Sequence, residues 1–103
     1  MIRNWRRIVK RLKRVVSEVL GDARVYVFGS VVSDEYTCSS DIDVLIVSKN
    51  IPGDRGKRIE LEILIEDMLG IDPLGPNPLE IHLATPEESR WYFKILGIKY
   101  MEV

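Results

Sequence analysis

The chain has 103 residues, 46% of them hydrophobic and 30% charged, with a formal net charge of −1 at pH 7. This globular composition excludes a disordered or fibrous chain, and no apolar run approaches the roughly 20 residues of a membrane-spanning helix. We expect one domain over residues 1–103. A signal peptide is not expected, because the basic N-terminus lacks its apolar core, and a cytoplasmic location follows. The single cysteine, Cys38, excludes an intramolecular disulfide.

The first segment is strongly basic. Seven of the first fourteen residues are Lys or Arg and none is acidic, so the remainder carries a net charge of −8. Apolar residues between Ile2 and Leu20 recur every three or four positions, which predicts one amphipathic helix that ends at Gly21. Its basic face can be a simple solvated surface, or it can contact an acidic protein or nucleic acid. No nucleic-acid recognition motif accompanies it.

Three later segments have the patterns of strands. Residues 23–28 alternate and are rich in Val and aromatic residues, residues 41–48 are mostly apolar, and residues 79–84 alternate again. Residues 31–40 are polar and irregular. Residues 72–78 contain three prolines and a glycine and are expected to form a stiff loop.

Two further helices are predicted. Apolar residues at helical spacing over 59–69 indicate a helix that ends at Gly70. Residues 85–88, Thr-Pro-Glu-Glu, supply an N-cap, a first-turn proline and a capping-box acid for a last helix that ends near Gly97. A terminal strand over 98–101 completes the prediction.

The order of these elements predicts an α/β (α+β) fold. The first two strands pair antiparallel if Gly29, Ser30 and Asp41 share one site, and the helical crossover from the second to the third strand allows parallel pairing. We therefore expect a mixed β-sheet of three to four strands covered by helices.

Asp41 and Asp43 are the first candidate site residues. Side chains two apart in a strand share a face, with their backbones roughly 6.5 to 7 Å apart, so these carboxylates can converge on one or two metal ions. Hard oxygen ligands favour magnesium or manganese over zinc. The alternative is that Asp41 caps a turn and Asp43 pairs with a surface cation.

Two more motifs complete the pattern. Gly29-Ser30 follows the first strand, and Leu79-Glu80-Ile81 places a third acid on a later strand. A glycine allows close backbone approach to an anion, and a serine adds a hydroxyl. The order of these motifs resembles that of the nucleotidyltransferase superfamily that includes DNA polymerase beta. The order in that superfamily is hydrophobic-Gly-Ser, a spacer of about ten residues, acid-hydrophobic-acid and then a later acid.

The resemblance implies a chemistry for each motif. Gly29 and Ser30 would hold the phosphates of ATP or another nucleoside triphosphate. Asp41, Asp43 and Glu80 would ligate two Mg²⁺ ions, with Mn²⁺ possible, and Glu80 could accept the proton of the attacking hydroxyl. The reaction implied is transfer of a nucleoside monophosphate, with pyrophosphate leaving.

Three other polar residues have less specific predicted roles. His82 lies two residues beyond Glu80 on the same strand face, where we expect a structural role or a contact to the carboxylates. Lys57 and Arg58 could reach a triphosphate from the second helix, or could be ordinary solvated charges.

The small size resembles the minimal nucleotidyltransferases, whose companion is often a HEPN-domain protein, with the pair acting as antitoxin and toxic ribonuclease. That resemblance implies AMP transfer to the partner. One departure is that residues 29–34 lack the arginine and second glycine of the Gly-Ser-x-Ala-Arg-Gly motif that many minimal members carry. The alternatives are a non-catalytic protein that neutralises a HEPN-like partner by binding it, and a small-molecule transferase of the aminoglycoside type. A homo-oligomer is compatible with each.

Overall fold

The computed structural model describes residues 5–28, 42–71, 79–96 and 100–103, which contain three helices and four strands. In chain order these are α1 (Trp5–Leu20), β1 (Arg24–Phe28), β2 (Ile42–Val47), α2 (Arg55–Leu69), β3 (Leu79–Ala84), α3 (Pro86–Leu96) and β4 (Tyr100–Glu102). The predicted loops at 31–40 and 72–78 lie outside the described residues.

The four strands form one mixed sheet in the order β3-β2-β1-β4. β1 and β2 are antiparallel, β2 and β3 are parallel, and β4 pairs antiparallel with β1. The helix α2 supplies the crossover that a parallel pair requires. The predicted mixed sheet covered by helices is therefore confirmed.

The two faces of the sheet have different coverings. On one face, alternate residues of β1 and β2 pack against α1 and α2 in the main core; they include Val25, Val27, Ile42, Val44 and Ile46. On the other face, a smaller cluster packs against Tyr92 and Phe93 of α3; its buried members are Tyr26, Phe28, Leu45, Val47 and Ala84. Because side chains alternate along a strand, Asp43 shares this second face with Leu45.

Local sequence signals set the helix ends. Gly70 terminates α2 with a left-handed φ of 79°, and the N–H groups of Gly70 and Ile71 donate to the carbonyls of Asp67 and Glu66, each at 3.0 Å. This is the hydrogen-bond pattern of a glycine C-cap. No helix in the described parts of the chain is long and apolar enough to cross a membrane.

A reciprocal capping box begins α3. The backbone N–H of Thr85 donates to Glu88 Oε1 at 2.9 Å, and the N–H of Glu88 donates to Thr85 Oγ1 at 3.2 Å. The predicted start of the last helix is thereby confirmed. Only Thr85 lies between the end of β3 and the start of α3.

Candidate active site

Two acids meet on neighbouring strands of the sheet. Asp43 of β2 and Glu80 of β3 are Cα partners in the parallel register. Neighbouring strands lie about 4.8 Å apart, and directly paired residues have the same orientation in the pleat. Both carboxylates therefore stand on the face that α3 partly covers. The parallel pairing creates this proximity between residues 37 positions apart in sequence.

A histidine joins the two acids. Nε2 of His82 lies 3.8 Å from Oε1 of Glu80, and the side chains are 30% and 60% exposed, respectively. One ligand atom from each of Asp43, Glu80 and His82 can be chosen so that all lie within 4.8 Å of one another. The three residues form a compact cluster that solvent and small molecules can reach.

Aromatic rings surround the histidine on its other sides. The centroid of the His82 ring lies 5.6 Å from that of Phe28 and 6.1 Å from that of Tyr92. Phe28 belongs to β1 and Tyr92 to α3, so two separate elements hold the imidazole beside Glu80. The sequence predicted either a structural role for His82 or a contact to the carboxylates, and the two-residue spacing from Glu80 was the signal that His82 lies with the acids.

The donor set of this cluster fits a divalent cation. Carboxylate oxygens are the ligands that Mg²⁺ and Mn²⁺ prefer, and two acids on one face repel each other unless a cation lies between them. An exposed pair of acids also occurs in proteins without any ion, so the fit rests on the convergence of three ligand-type side chains. Asp43 and Glu80 are the described residues that would hold such an ion.

Three predicted site residues, Gly29, Ser30 and Asp41, lie outside the described residues. Their neighbours in sequence are described. Phe28, the last residue of β1, is the Cα partner of Asp43, and β2 begins at Ile42. The chain thus leaves β1 and enters β2 at the end of the sheet where Asp43 and Glu80 lie.

Arg58, for which the sequence left open a triphosphate contact or a solvated charge, makes hydrogen bonds within the protein. Its guanidinium donates to Glu88 Oε1 at 2.7 Å, to the carbonyl of Pro52 and to that of Leu83 at 3.4 Å. Arg58 therefore links α2 to the end of β3 and the start of α3, and is not a free phosphate ligand. The hydrogen bond from Arg58 is the main reason that the pKa of Glu88 is lowered. Lys57 is exposed.

A cleft opens beside the cluster, between α2, β3 and α3. Its volume is about 300 Å³, and its walls include His82, Tyr92, Arg55 and Glu62. Burial, followed by repulsion from Glu66, raises the pKa of Glu62. His82 is the member of the cluster that lines this cleft, and neither Asp43 nor Glu80 is among its lining residues.

Comparison with known proteins identifies the family. Residues 6–101 match the nucleotidyltransferase domain family. A solved crystal structure of a proposed nucleotidyltransferase superposes with a TM-score of 0.66 at 32% sequence identity, covering 92% of this chain and 96% of the other. The chain therefore belongs to the nucleotidyltransferase domain family, as the motifs indicated, and has the nucleotidyltransferase fold. Its small size fits a minimal member.

Two more distant similarities complete the comparison. A proposed nucleotidyltransferase from Sulfolobus solfataricus shares the fold, with a TM-score of 0.51 and 21% identity over 84% of this chain and 78% of that chain. A 44-residue segment, 43% of this chain, is 43% identical to part of Poly(A) RNA polymerase protein 1 of Saccharomyces cerevisiae. The segment spans only 7% of that yeast protein. Family membership supports nucleotidyl transfer, which implies a nucleotide substrate, and members of the family typically use divalent metal ions.

Proposed function

We propose that this chain is a single cytoplasmic nucleotidyltransferase domain that moves AMP from ATP to a hydroxyl of a partner macromolecule, using two Mg²⁺ ions. The observation that carries the proposal is the in-register pair of Asp43 and Glu80 at the end of the sheet where β1 leads into Gly29-Ser30. The choice of the adenine nucleotide is supported by the short similarity to a poly(A) RNA polymerase.

Each site residue has a separate task in this proposal. Asp41, Asp43 and Glu80 would hold the ions, and Gly29 and Ser30 would bind the phosphates of the triphosphate. When bound, the ions would supply charge neutralisation at the entering and leaving oxygens of an in-line displacement at the α-phosphate.

The protein's own contribution is positioning. The carboxylate of Glu80 is 60% exposed, so an acceptor hydroxyl can approach it and give up its proton to it. The register of β2 and β3 holds Glu80 beside Asp43 before any substrate binds, so little reorganisation is needed when the reaction begins.

The acceptor we propose is a HEPN-type protein, so that AMP transfer silences a toxic ribonuclease. The resemblance to the minimal nucleotidyltransferases supports this partner. Incubation of the chain with Mg²⁺, ATP labelled at the α-phosphate and the protein encoded by the adjacent gene tests the proposal. We expect the label to transfer to that protein.

Matched variants make the assay specific. Transfer should be abolished by Asp41→Ala combined with Asp43→Ala, and retained by Glu60→Gln, which changes an exposed acid of α2. An absence of label on the partner, or equal labelling by the double variant, would refute the proposal.

A second candidate function rests on α1. Its exposed cations include Arg7, Lys10, Arg11 and Arg14, and α1 packs on the opposite face of the sheet from Asp43 and Glu80. This basic face can bind an acidic partner without any chemistry. In that case the double alanine variant would neutralise the partner as well as the native chain does, whereas Lys10→Glu with Arg14→Glu would not.

A further inference from the structure

We infer that His82 is a direct metal ligand that, together with Asp43 and Glu80, makes this site bind Mn²⁺ in preference to Mg²⁺. The inference rests on the proposed metal site of the transfer reaction and adds a nitrogen ligand to its carboxylates. It concerns the ion that Asp43 and Glu80 hold together.

The first argument is distance. Two ligand atoms bound to one ion at about 2.1 Å each can be no more than about 4.2 Å apart. Nε2 of His82 and Oε1 of Glu80 are already 3.8 Å apart. All three ligand atoms of the cluster lie within 4.8 Å of one another, so side-chain rotations of less than about 1 Å at the tips bring them onto one ion.

The second argument is that two elements orient the ring. Phe28 from β1 and Tyr92 from α3 contact the imidazole, at centroid distances of 5.6 and 6.1 Å. The side chain of His82 is only 30% exposed, although that of its neighbour Glu80 is 60% exposed. A histidine that is held in this way, with Nε2 directed toward a carboxylate, loses little further freedom when it binds an ion.

The third argument is ligand chemistry. Mg²⁺ has a strong preference for oxygen ligands and retains its waters. Mn²⁺ binds carboxylates as Mg²⁺ does, but as a first-row transition-metal ion it also bonds to imidazole nitrogen more readily than Mg²⁺ does. A mixed set of two carboxylates and one imidazole therefore raises the affinity for Mn²⁺ more than that for Mg²⁺. Both ions would still support the proposed reaction, since both accept the carboxylates.

The decisive experiment uses the fact that the chain contains one histidine. We would label its imidazole with nitrogen-15 and titrate the full chain with 113Cd²⁺, a diamagnetic probe that bonds to both nitrogen and oxygen ligands. The titration would be run with and without a non-hydrolysable ATP analogue. We expect the Nε2 resonance to shift and to show the splitting of a direct cadmium–nitrogen bond. A resonance without that splitting in both titrations overturns the inference.

Ion affinities in variants provide a second measurement. His82→Phe keeps a ring between Phe28 and Tyr92 but removes the nitrogen ligand, and Tyr92→Phe is the matched control on the other side of the same contact. Binding of Mn²⁺, followed by electron paramagnetic resonance, should weaken about tenfold or more in His82→Phe, with little change for Mg²⁺. Tyr92→Phe should behave like the native chain. Equal Mn²⁺ affinity in the native chain and His82→Phe would contradict the inference.

The two proposals fail in different ways. If AMP transfer is absent but cadmium bonds to Nε2, the ligand role of His82 stands and the proposed transfer reaction does not. If AMP transfer occurs but the histidine resonance shows no splitting, the reaction stands and His82 is not a ligand.

Discussion

Glu80→Gln should leave the metal-free chain at least as stable as the native chain but weaken the stabilisation that a bound ion provides. At the separation of at most 4.8 Å within the cluster, two carboxylates repel each other by about 0.9 kcal/mol in water and about 3.5 kcal/mol at an effective dielectric constant of 20. Glu80 is 60% exposed, so the lower value applies. We expect Glu80→Gln to leave the metal-free chain unchanged or more stable by up to about 1 kcal/mol.

With the ion bound, the native chain should be more stable than Glu80→Gln. An ion at ten times its dissociation constant stabilises the native chain by about 1.4 kcal/mol, which is about 6 to 11 °C in Tm for a domain of this size. Glu80→Gln should lose most of that shift, because one of the carboxylates that hold the ion is gone.

Thermal unfolding followed by circular dichroism at pH 8, with and without Mg²⁺ or Mn²⁺, measures both effects. Glu60→Gln, at an exposed position of α2, controls for the loss of a negative charge. The reasoning would be wrong if Glu80→Gln destabilised the metal-free chain by more than about 1 kcal/mol and kept the full ion-dependent shift.

Three further predictions concern the scaffold of the site, and urea unfolding measures each. Glu88→Gln should destabilise the chain by up to about 1 kcal/mol at neutral pH, since the charged partner of Arg58 is lost while the glutamine oxygen can still accept the N–H of Thr85. Because the pKa of Glu88 is lowered in the folded chain, its contribution is present above the unfolded-state pKa of about 4.3 and is lost as the pH falls through the folded value. The native chain and Glu88→Gln should thus converge in stability in acid, and a constant difference across that range would contradict the assignment. Gly70→Ala should lower the free energy of unfolding by up to about 1 kcal/mol, because the φ of 79° disfavours a side chain even though a Cβ there meets no neighbour within 4 Å. An unchanged urea midpoint would show that the C-cap relaxes. Leu12→Ala should lower the free energy of unfolding by about 2 to 5 kcal/mol, since Leu12 is fully buried in the main core. A loss under about 1 kcal/mol would show that the core collapses around the cavity.

Local patterns predicted most of the fold. The periodicity of α1 is visible in Val9, Leu12 and Val16, all of which are fully buried. The capping box at Thr85 and Glu88 was readable because both partners lie within one turn. These features depend on neighbours in sequence, so the sequence was sufficient to locate them.

Features that depend on distant partners were only partly predictable. The pairing of β4 with β1 joins residues 72 to 76 positions apart in sequence, and the sequence predicted a terminal strand over 98–101 without its partner. The described strand covers Tyr100–Glu102. For Arg58 the sequence left open a phosphate contact or a solvated charge, but its pairing with Glu88 depends on how α2 and α3 converge, and no local pattern records that.

The candidate site, like the fold, was only partly predictable from the sequence. The two-residue spacing from Asp41 made Asp43 a candidate and the resemblance to the superfamily pattern added Glu80, but neither signal predicts that the two residues are direct partners in the parallel register. His82 was found beside Glu80 because it lies two positions after Glu80 in the same strand. The proximity of Phe28 and Tyr92 to His82 is a tertiary contact that sequence alone did not provide. The predictions for Gly29, Ser30 and Asp41 remain predictions.

With the proposed metal site, the parallel register of β2 and β3 also makes ion binding depend on correct pairing of the strands. Asp43 and Glu80 lie 37 positions apart in sequence and meet only after α2 has carried the chain across the sheet. Contacts between residues so distant in sequence form slowly, since the loop between them must close first. A chain with its helices formed but its sheet unpaired would have both carboxylates and no site. In refolding, the first moment at which the chain can retain an ion is therefore the moment at which its central strands have found their correct partners.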